Sequence, residues 1–236
     1  MAGARAGPDA ALSRRIGLLG GSFNPAHAAH RRISLFAIEA LGLDELWWLV
    51  SPGNPLKAGA RDMATLGQRL ASAERMARRS RIVPTAIEAR LGTRYTADTL
   101  RQIVRRHPGD RFIWIMGADN LAQFALWKDW RGIAATLPIA VIARPGYGAA
   151  ARSAHAMGWL GRFGRPASGA RRWTRWSLPA LVLMHTVPDP TSATARRAAD
   201  PDWHRRFHPR ALRDRVTRRL LPPEVHCPLL PPPPAP

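Results

Sequence analysis

The sequence predicts a doubly wound α/β domain on a parallel sheet, and three observations predict it. Short apolar runs of strand length recur along the 236 residues, as expected of strands buried on both faces. Segments with apolar residues at helical spacing separate these runs. The glycines, prolines, histidines and isolated polar residues gather in the turns that follow the runs, which is where open α/β sheets bind ligands.

Taken in order, residues 15–19 are the first expected strand, closed by Gly20 and Gly21. Residues 27–41 carry Ile33, Leu35, Phe36, Ile38 and Leu41 at helical spacing, and Gly42 stops that helix. Residues 45–50 (ELWWLV) make a second strand, and the Pro/Gly-rich stretch 51–57 behind it cannot be helical. A helix over 65–79, a strand over 82–87 and a helix over 96–106 follow, the last ended by His107-Pro108-Gly109. Strand 111–116 runs through Gly117-Ala118-Asp119-Asn120 into a helical stretch holding Trp127 and Trp130, and 138–143 is the fifth strand. Residues 149–178, rich in Arg and Gly, are expected as a surface excursion with some helix. A last strand over 180–187, a helix opening after 188–192 and a basic terminal helix over 209–220 complete a small helical C-terminal part. The alternation with short connections predicts right-handed crossovers and helices on both faces of the sheet. The domain spans 14–221, between a disordered N-terminus (1–13) and a proline-rich tail (222–236).

An apolar content of 46% supports one buried core, and no apolar run is long enough to span a bilayer. The opening residues lack the apolar segment of a secretory signal, so a cytoplasmic setting is expected. Cys227, the single cysteine, offers neither a disulfide framework nor a thiolate metal site. A net charge of +20 suggests polyanions. Yet every basic residue except Lys57 and Lys128 is arginine, amid much Ala, Gly and Pro. That skew fits a compositional bias with arginines scattered over solvated faces. A nucleic-acid-binding protein on the same scaffold is the reading from a different class, although no recognition module is present.

The chemistry concentrates in residues 20–30, GGSFNPAHAAH. Glycines let backbone N–H groups approach an anion, and the first turn of the next helix adds unpaired N–H groups and the positive end of its dipole. His27 and His30 share one helix face. Neither G-x-G-x-x-G nor the G-K-[ST] of a P-loop is present. The stretch resembles the G-G-x-F-x-P-x-H-x-x-H signature of the nucleotidylyltransferase superfamily. Four further matches resemble the bacterial nicotinate-nucleotide adenylyltransferases, in their order: SPGNPLK at 51–57, Tyr95-Thr96 with Thr99-Leu100, GADN at 117–120 with Trp127 downstream, and S-A-T-x-x-R at 192–197. Three positions depart from that pattern: Ala29 stands for a usual glycine, Asn24 for a frequent aspartate and Arg196 for a common apolar residue.

The resemblance implies a Rossmann-like fold and transfer of AMP from ATP to nicotinate mononucleotide, giving deamido-NAD and pyrophosphate. It implies magnesium carried by the phosphates and water, without dedicated protein ligands. His27, His30, Thr194 and Arg197 are the implied catalytic residues, with Gly20, Gly21, Ser22, Gly117, Asp119 and Ser192 joining them around ATP. The mononucleotide falls to Ser22, Phe23, Lys57, Tyr95, Thr96, Trp127 and Arg144. Trp127 is implied to stack on the pyridine ring, and Tyr95 and Thr96 to receive its carboxylate. A sister enzyme acting on nicotinamide mononucleotide or phosphopantetheine is the near alternative.

Overall fold

A computed structural model describes residues 13–53, 63–143, 153–186, 191–207 and 211–221. The expected disorder of 1–12, the proline-rich tail, Lys57 and Arg144 lie outside the described residues. Seven strands form one parallel sheet: β1 (Arg15–Gly21), β2 (Glu45–Val50), β3 (Ile82–Thr85), β4 (Arg111–Gly117), β5 (Ile139–Ala143), β6 (Gly164–Arg165) and β7 (Leu181–His185). Their order is β3-β2-β1-β4-β5-β7-β6.

The strands are apolar on both faces because both faces are covered. Alternation along β2 sends Trp47 and Leu49 into one cluster and Leu46, Trp48 and Val50 into the other. Helices α1 (Ala28–Leu41) and α2 (Leu66–Ala77) supply the second cluster through Ile38, Leu41, Leu66 and Leu70. The first cluster takes Leu100 and Ile103 from α4 (Thr96–Arg106), Leu121 from α5 (Ala118–Gln123) and Ile133 from α6 (Trp130–Thr136). Pro84, which has no N–H to donate, sits in the edge strand β3.

The strand order creates the place for a site. The chain moves outward from β1 to β3, then returns to lay β4 on the other side of β1. Connections after β1 and β4 therefore leave in opposite directions and open a crevice beyond their carboxyl ends. Gly20-Gly21 and Gly117 finish these two neighbouring strands.

Several expectations change. The third strand stops at Thr85, and α3 (Ile87–Leu91) follows where 82–87 was expected to be all strand. The excursion at 149–178 is more than surface. Among its described residues, β6 joins the sheet edge, and Trp173, in the 3-10 segment Ala167–Arg175, is buried with its Nε1 donating to the Leu41 carbonyl at 3.1 Å.

The basic terminal helix over 209–220 is corrected. Residues 211–221 form an antiparallel pair, β8 (Leu212–Arg213) with β9 (Leu220–Leu221). The cause is Asp214, whose buried carboxylate accepts from the Val216 and Thr217 N–H groups at 2.9 Å each, making a turn where a helix would need those donors elsewhere. The same carboxylate accepts from the Thr85 hydroxyl at 2.8 Å and the Ala86 N–H at 2.7 Å, pinning the hairpin to the end of β3.

Candidate active site

The turn after β1 is built from the inside. A Cβ on Gly20 would lie 2.7 Å from the Trp114 ring, so only glycine lets β1 end against β4 here. Phe23 adopts a left-handed backbone (φ 47°), uncommon outside glycine. Its buried ring holds that conformation, stacked on Trp48 at 4.9 Å and tilted against His30 at 4.8 Å. Phe23 can thus offer a ligand its backbone while its side chain stays in the core.

His27 is the N-cap residue of α1 and is only 4% exposed, and its ring lies 3.8 Å from that of His30. The His27 N–H donates to His30 Nδ1 at 3.3 Å. With Nδ1 accepting, the neutral His30 ring carries its proton on Nε2 as a donor. Behind it the Ser34 hydroxyl donates to the His30 carbonyl at 2.8 Å and accepts from Trp48 Nε1 at 2.7 Å, fixing the first turn of α1 to β2. The first turn of α1 holds no acidic residue, so no carboxylate competes for the positive end of its dipole. Of the departures, Ala29 is buried at 1% exposure, Asn24 accepts from the Ala64 N–H through Oδ1 at 3.1 Å, and Arg196 is exposed.

The second segment arrives from the far end of the chain. Ser192 caps the helix Ala193–Ala199 by accepting from the Ala195 N–H at 3.1 Å. Arg197 reaches back to the histidine turn, its Nη1 donating to the Asn24 carbonyl at 2.8 Å. Thr194 is exposed on the first turn of that helix. Beyond β4, a Cβ at Gly117 would collide with the Asp119 carboxylate, so the glycine makes room for an acid that remains exposed at the crevice.

A third group forms at α4. Tyr95 is its N-cap residue, and Thr96 opens the helix. The Lys128 ammonium lies 4.4 Å from the Tyr95 ring centroid and 3.4 Å from the Asp98 carboxylate. Trp127, next to Lys128, packs edge-on against Phe124 at 5.4 Å and Trp114 at 6.3 Å. Trp114 is also the ring that confronts Gly20, so a chain of aromatic contacts connects the Trp127 segment to the end of β1. Sequence reasoning missed the buried Arg69 nearby and the half-buried Glu88. For Arg69 a signal existed: it lies among Leu66, Leu70 and Ala73 on the buried face of α2.

Comparison with known proteins agrees in kind with this arrangement. The family model for cytidylyltransferase-like proteins matches residues 18–199. The chain is 58% identical over 207 residues to a probable nicotinate-nucleotide adenylyltransferase of Erythrobacter litoralis, covering 88% of this chain and 94% of that protein. It is 50% identical over 177 residues to one from Cereibacter sphaeroides, covering 73% of this chain and 95% of the other. Among solved structures, the Plasmodium falciparum nicotinic acid mononucleotide adenylyltransferase complexed with NaAD shares the fold. Its TM-score is 0.56 at 15% identity, over 78% of this chain and 83% of that one.

Proposed function

The chain belongs to the cytidylyltransferase-like family and to its nicotinate-nucleotide adenylyltransferases; from that premise we propose that it joins the AMP part of ATP to nicotinate mononucleotide at the crevice between β1 and β4. The reaction needs no protein nucleophile. A phosphate oxygen of the mononucleotide attacks the α-phosphorus of ATP, the bond from that phosphorus to the bridging oxygen of the β-phosphate breaks, and pyrophosphate leaves with the electron pair. The protein contributes alignment and donors for the charge that moves onto the leaving phosphates.

The observation that carries this reading is the hydrogen bond from Arg197 to the Asn24 carbonyl, which draws together two motifs from opposite ends of the domain. In the reading, His30 Nε2–H, His27 and the first N–H groups of α1 face the ATP phosphates, beside Gly20, Gly21 and Ser22. Ser192, Thr194 and Arg197 hold the β- and γ-phosphates, for which a planar guanidinium fork is suited. Gly117 and Asp119 sit where a ribose passes. The mononucleotide lies against the Ser22–Phe23 backbone, Trp127 and the start of α4. There the backbone N–H groups that open α4, together with a Lys128 ammonium shared with the Asp98 carboxylate of the same turn, are the donors that would favour a carboxylate over an amide. Lys57 and Arg144 complete the acceptor side as sequence matches alone.

Magnesium, when bound, neutralises phosphate charge. In this reading the ion would be carried by the triphosphate and water. No helix of the described residues is long and apolar enough to cross a membrane, and a cytoplasmic setting belongs to this reading.

Pyrophosphate release with ATP and magnesium, across nicotinate mononucleotide, nicotinamide mononucleotide and phosphopantetheine, tests the proposal. Nicotinate mononucleotide is expected to give the highest kcat/KM. Absence of release with either pyridine mononucleotide would sink the reading, and a preference for another acceptor would reassign Tyr95, Thr96 and Trp127.

A further inference from the structure

A buried arginine braces the crevice from behind and has no part in the chemistry above. Arg69, on the inner face of α2, is 1% exposed, so no ligand can reach its guanidinium. Nη1 donates to the Ser22 carbonyl at 2.8 Å and the Ser51 carbonyl at 2.6 Å, Nη2 to Pro52 at 3.3 Å, and Nε to Ala64 at 2.9 Å. A guanidinium keeps its charge inside a protein, so its burial demands acceptors. These four belong to the turn after β1, the turn after β2 and the approach to α2. The two turns are also joined directly, the Ser51 N–H donating to the Gly21 carbonyl at 3.0 Å.

The direction of each carbonyl fixes that of the next N–H, because in a planar trans peptide the two point opposite ways. Arg69 therefore orients four peptides at once. The Ser51 carbonyl is followed by Pro52, which has no N–H. The Ala64 carbonyl is followed by Thr65, whose N–H is spent on Gln68 Oε1 at 3.1 Å in the capping box of α2. The other two peptides turn the N–H groups of Phe23 and Gly53 away from Arg69, one donor from each turn. Asn24 ties this brace to the far motif. Its Oδ1 accepts from the Ala64 N–H at 3.1 Å and its carbonyl from Arg197 at 2.8 Å, so Arg69 and Arg197 hold the same turn.

We propose that Arg69 is the positioning residue for the acceptor's phosphate: by holding the Ser22 and Pro52 carbonyls it aims the Phe23 and Gly53 N–H groups together at the mononucleotide phosphate that attacks ATP, without touching it. The inference rests on the acceptor assignment made above. Two backbone N–H groups converging on one anion make charge-assisted hydrogen bonds. The buried positive charge polarises both peptides in the same sense, so each N–H becomes a stronger donor.

Arg69→Lys keeps the charge, but a compact ammonium on an unbranched stem cannot hold carbonyls in three segments as the planar fork does. Steady-state kinetics of this variant and of Arg69→Gln, with each substrate varied, is the test. Arg69→Lys is expected to raise KM for nicotinate mononucleotide about tenfold or more and to leave KM for ATP within about twofold, as for loss of a hydrogen bond to a charged group. Arg69→Gln, which also loses the charge, is expected to raise the mononucleotide KM further. Nicotinate riboside, which lacks the phosphate, should inhibit the wild type and Arg69→Lys with the same inhibition constant, an equality that a merely structural loss would not preserve. Equal effects on KM for both substrates, an unchanged mononucleotide KM, or a matching loss of riboside affinity overturns the proposal. So does failure of both variants to fold, which would make Arg69 a support of the whole domain rather than of the site.

Hydrogen exchange needs no substrate and separates this outcome from failure of the acceptor assignment. The amides of Phe23 and Gly53 should exchange faster in Arg69→Lys, with those of α4 unchanged. Equal exchange in the two proteins overturns the positioning role alone. Wild-type protein that turns over neither pyridine mononucleotide overturns the acceptor assignment, and this role with it.

Discussion

The turn after β1 and the helix Ala193–Ala199 meet through one hydrogen bond, from Arg197 to Asn24, yet the protein holds them in different ways. In the turn, Phe23, Asn24, Ala26 and His27 are all buried, and Arg69 grips the Ser22 carbonyl from below. In the helix no residue is buried, and its order comes from the Ser192 cap and the Arg197 side chain. The turn is preorganised by packing before any ligand arrives. The helix lacks that support, and in the proposed reading ligand contacts would supply part of its order, as in segments drawn from the low-stability end of a fold.

The largest test of this contrast pairs one residue from each side. His30→Ala and Arg197→Ala are each expected to lower kcat by about two orders of magnitude, as for loss of a donor to charge in the transition state. They should differ in stability. Removing the His30 ring takes a partner from Phe23 and His27 and lowers Tm by a few degrees, roughly what a loss of about 1 kcal/mol does in a domain of this size. Removing Arg197 from an exposed helix leaves Tm nearly unchanged. Near-normal kcat in both variants refutes their roles, and equal Tm losses break the contrast.

Gly20→Ala probes the packed side alone. The added Cβ meets the Trp114 ring at 2.7 Å with buried β4 behind it, and overpacking of this kind costs about 1–3 kcal/mol. A denaturation midpoint equal to wild type would show that Trp114 yields easily and that the turn is softer than its contacts suggest. The smallest effect belongs to Ser192→Ala. Loss of the cap should cost about 1 kcal/mol locally. Exchange of the Ala195 amide should quicken while global unfolding stays the same, and a shift in the global midpoint would mean that the helix is coupled to the core after all.

Much of the framework was legible because its signals are local. The strands announce themselves as short apolar runs, since a parallel strand buried on both faces needs no polar residues. The histidine turn, Tyr95-Thr96, Trp127 and S-A-T-x-x-R were each readable as motifs. Arg69 was readable in principle, as an arginine on the apolar face of α2. Glu88 was not, because nothing in its neighbours along the chain distinguishes a half-buried acid from a solvated one. The C-terminal hairpin escaped for a related reason. Leu212, Val216 and Leu220 keep helical spacing, but Asp214 finds Thr85 and Ala86, more than a hundred positions earlier, and takes the donors that the helix would have kept.

By itself, then, the sequence determined the alternation of strands and helices and the identities of the residues that finish each strand, because backbone period, glycine turns and caps depend on neighbours a few positions away. Tertiary structure decided which of those ends stand side by side. The return of the chain across β1 places Gly117 beside Gly20-Gly21, and Arg197 closes on Asn24 from 173 positions away. Burial decided the rest, because the charge of Arg69 is met by carbonyls of Ser22, Ser51, Pro52 and Ala64 that surround it in space, and that arrangement exists only once the sheet and its helices have come together.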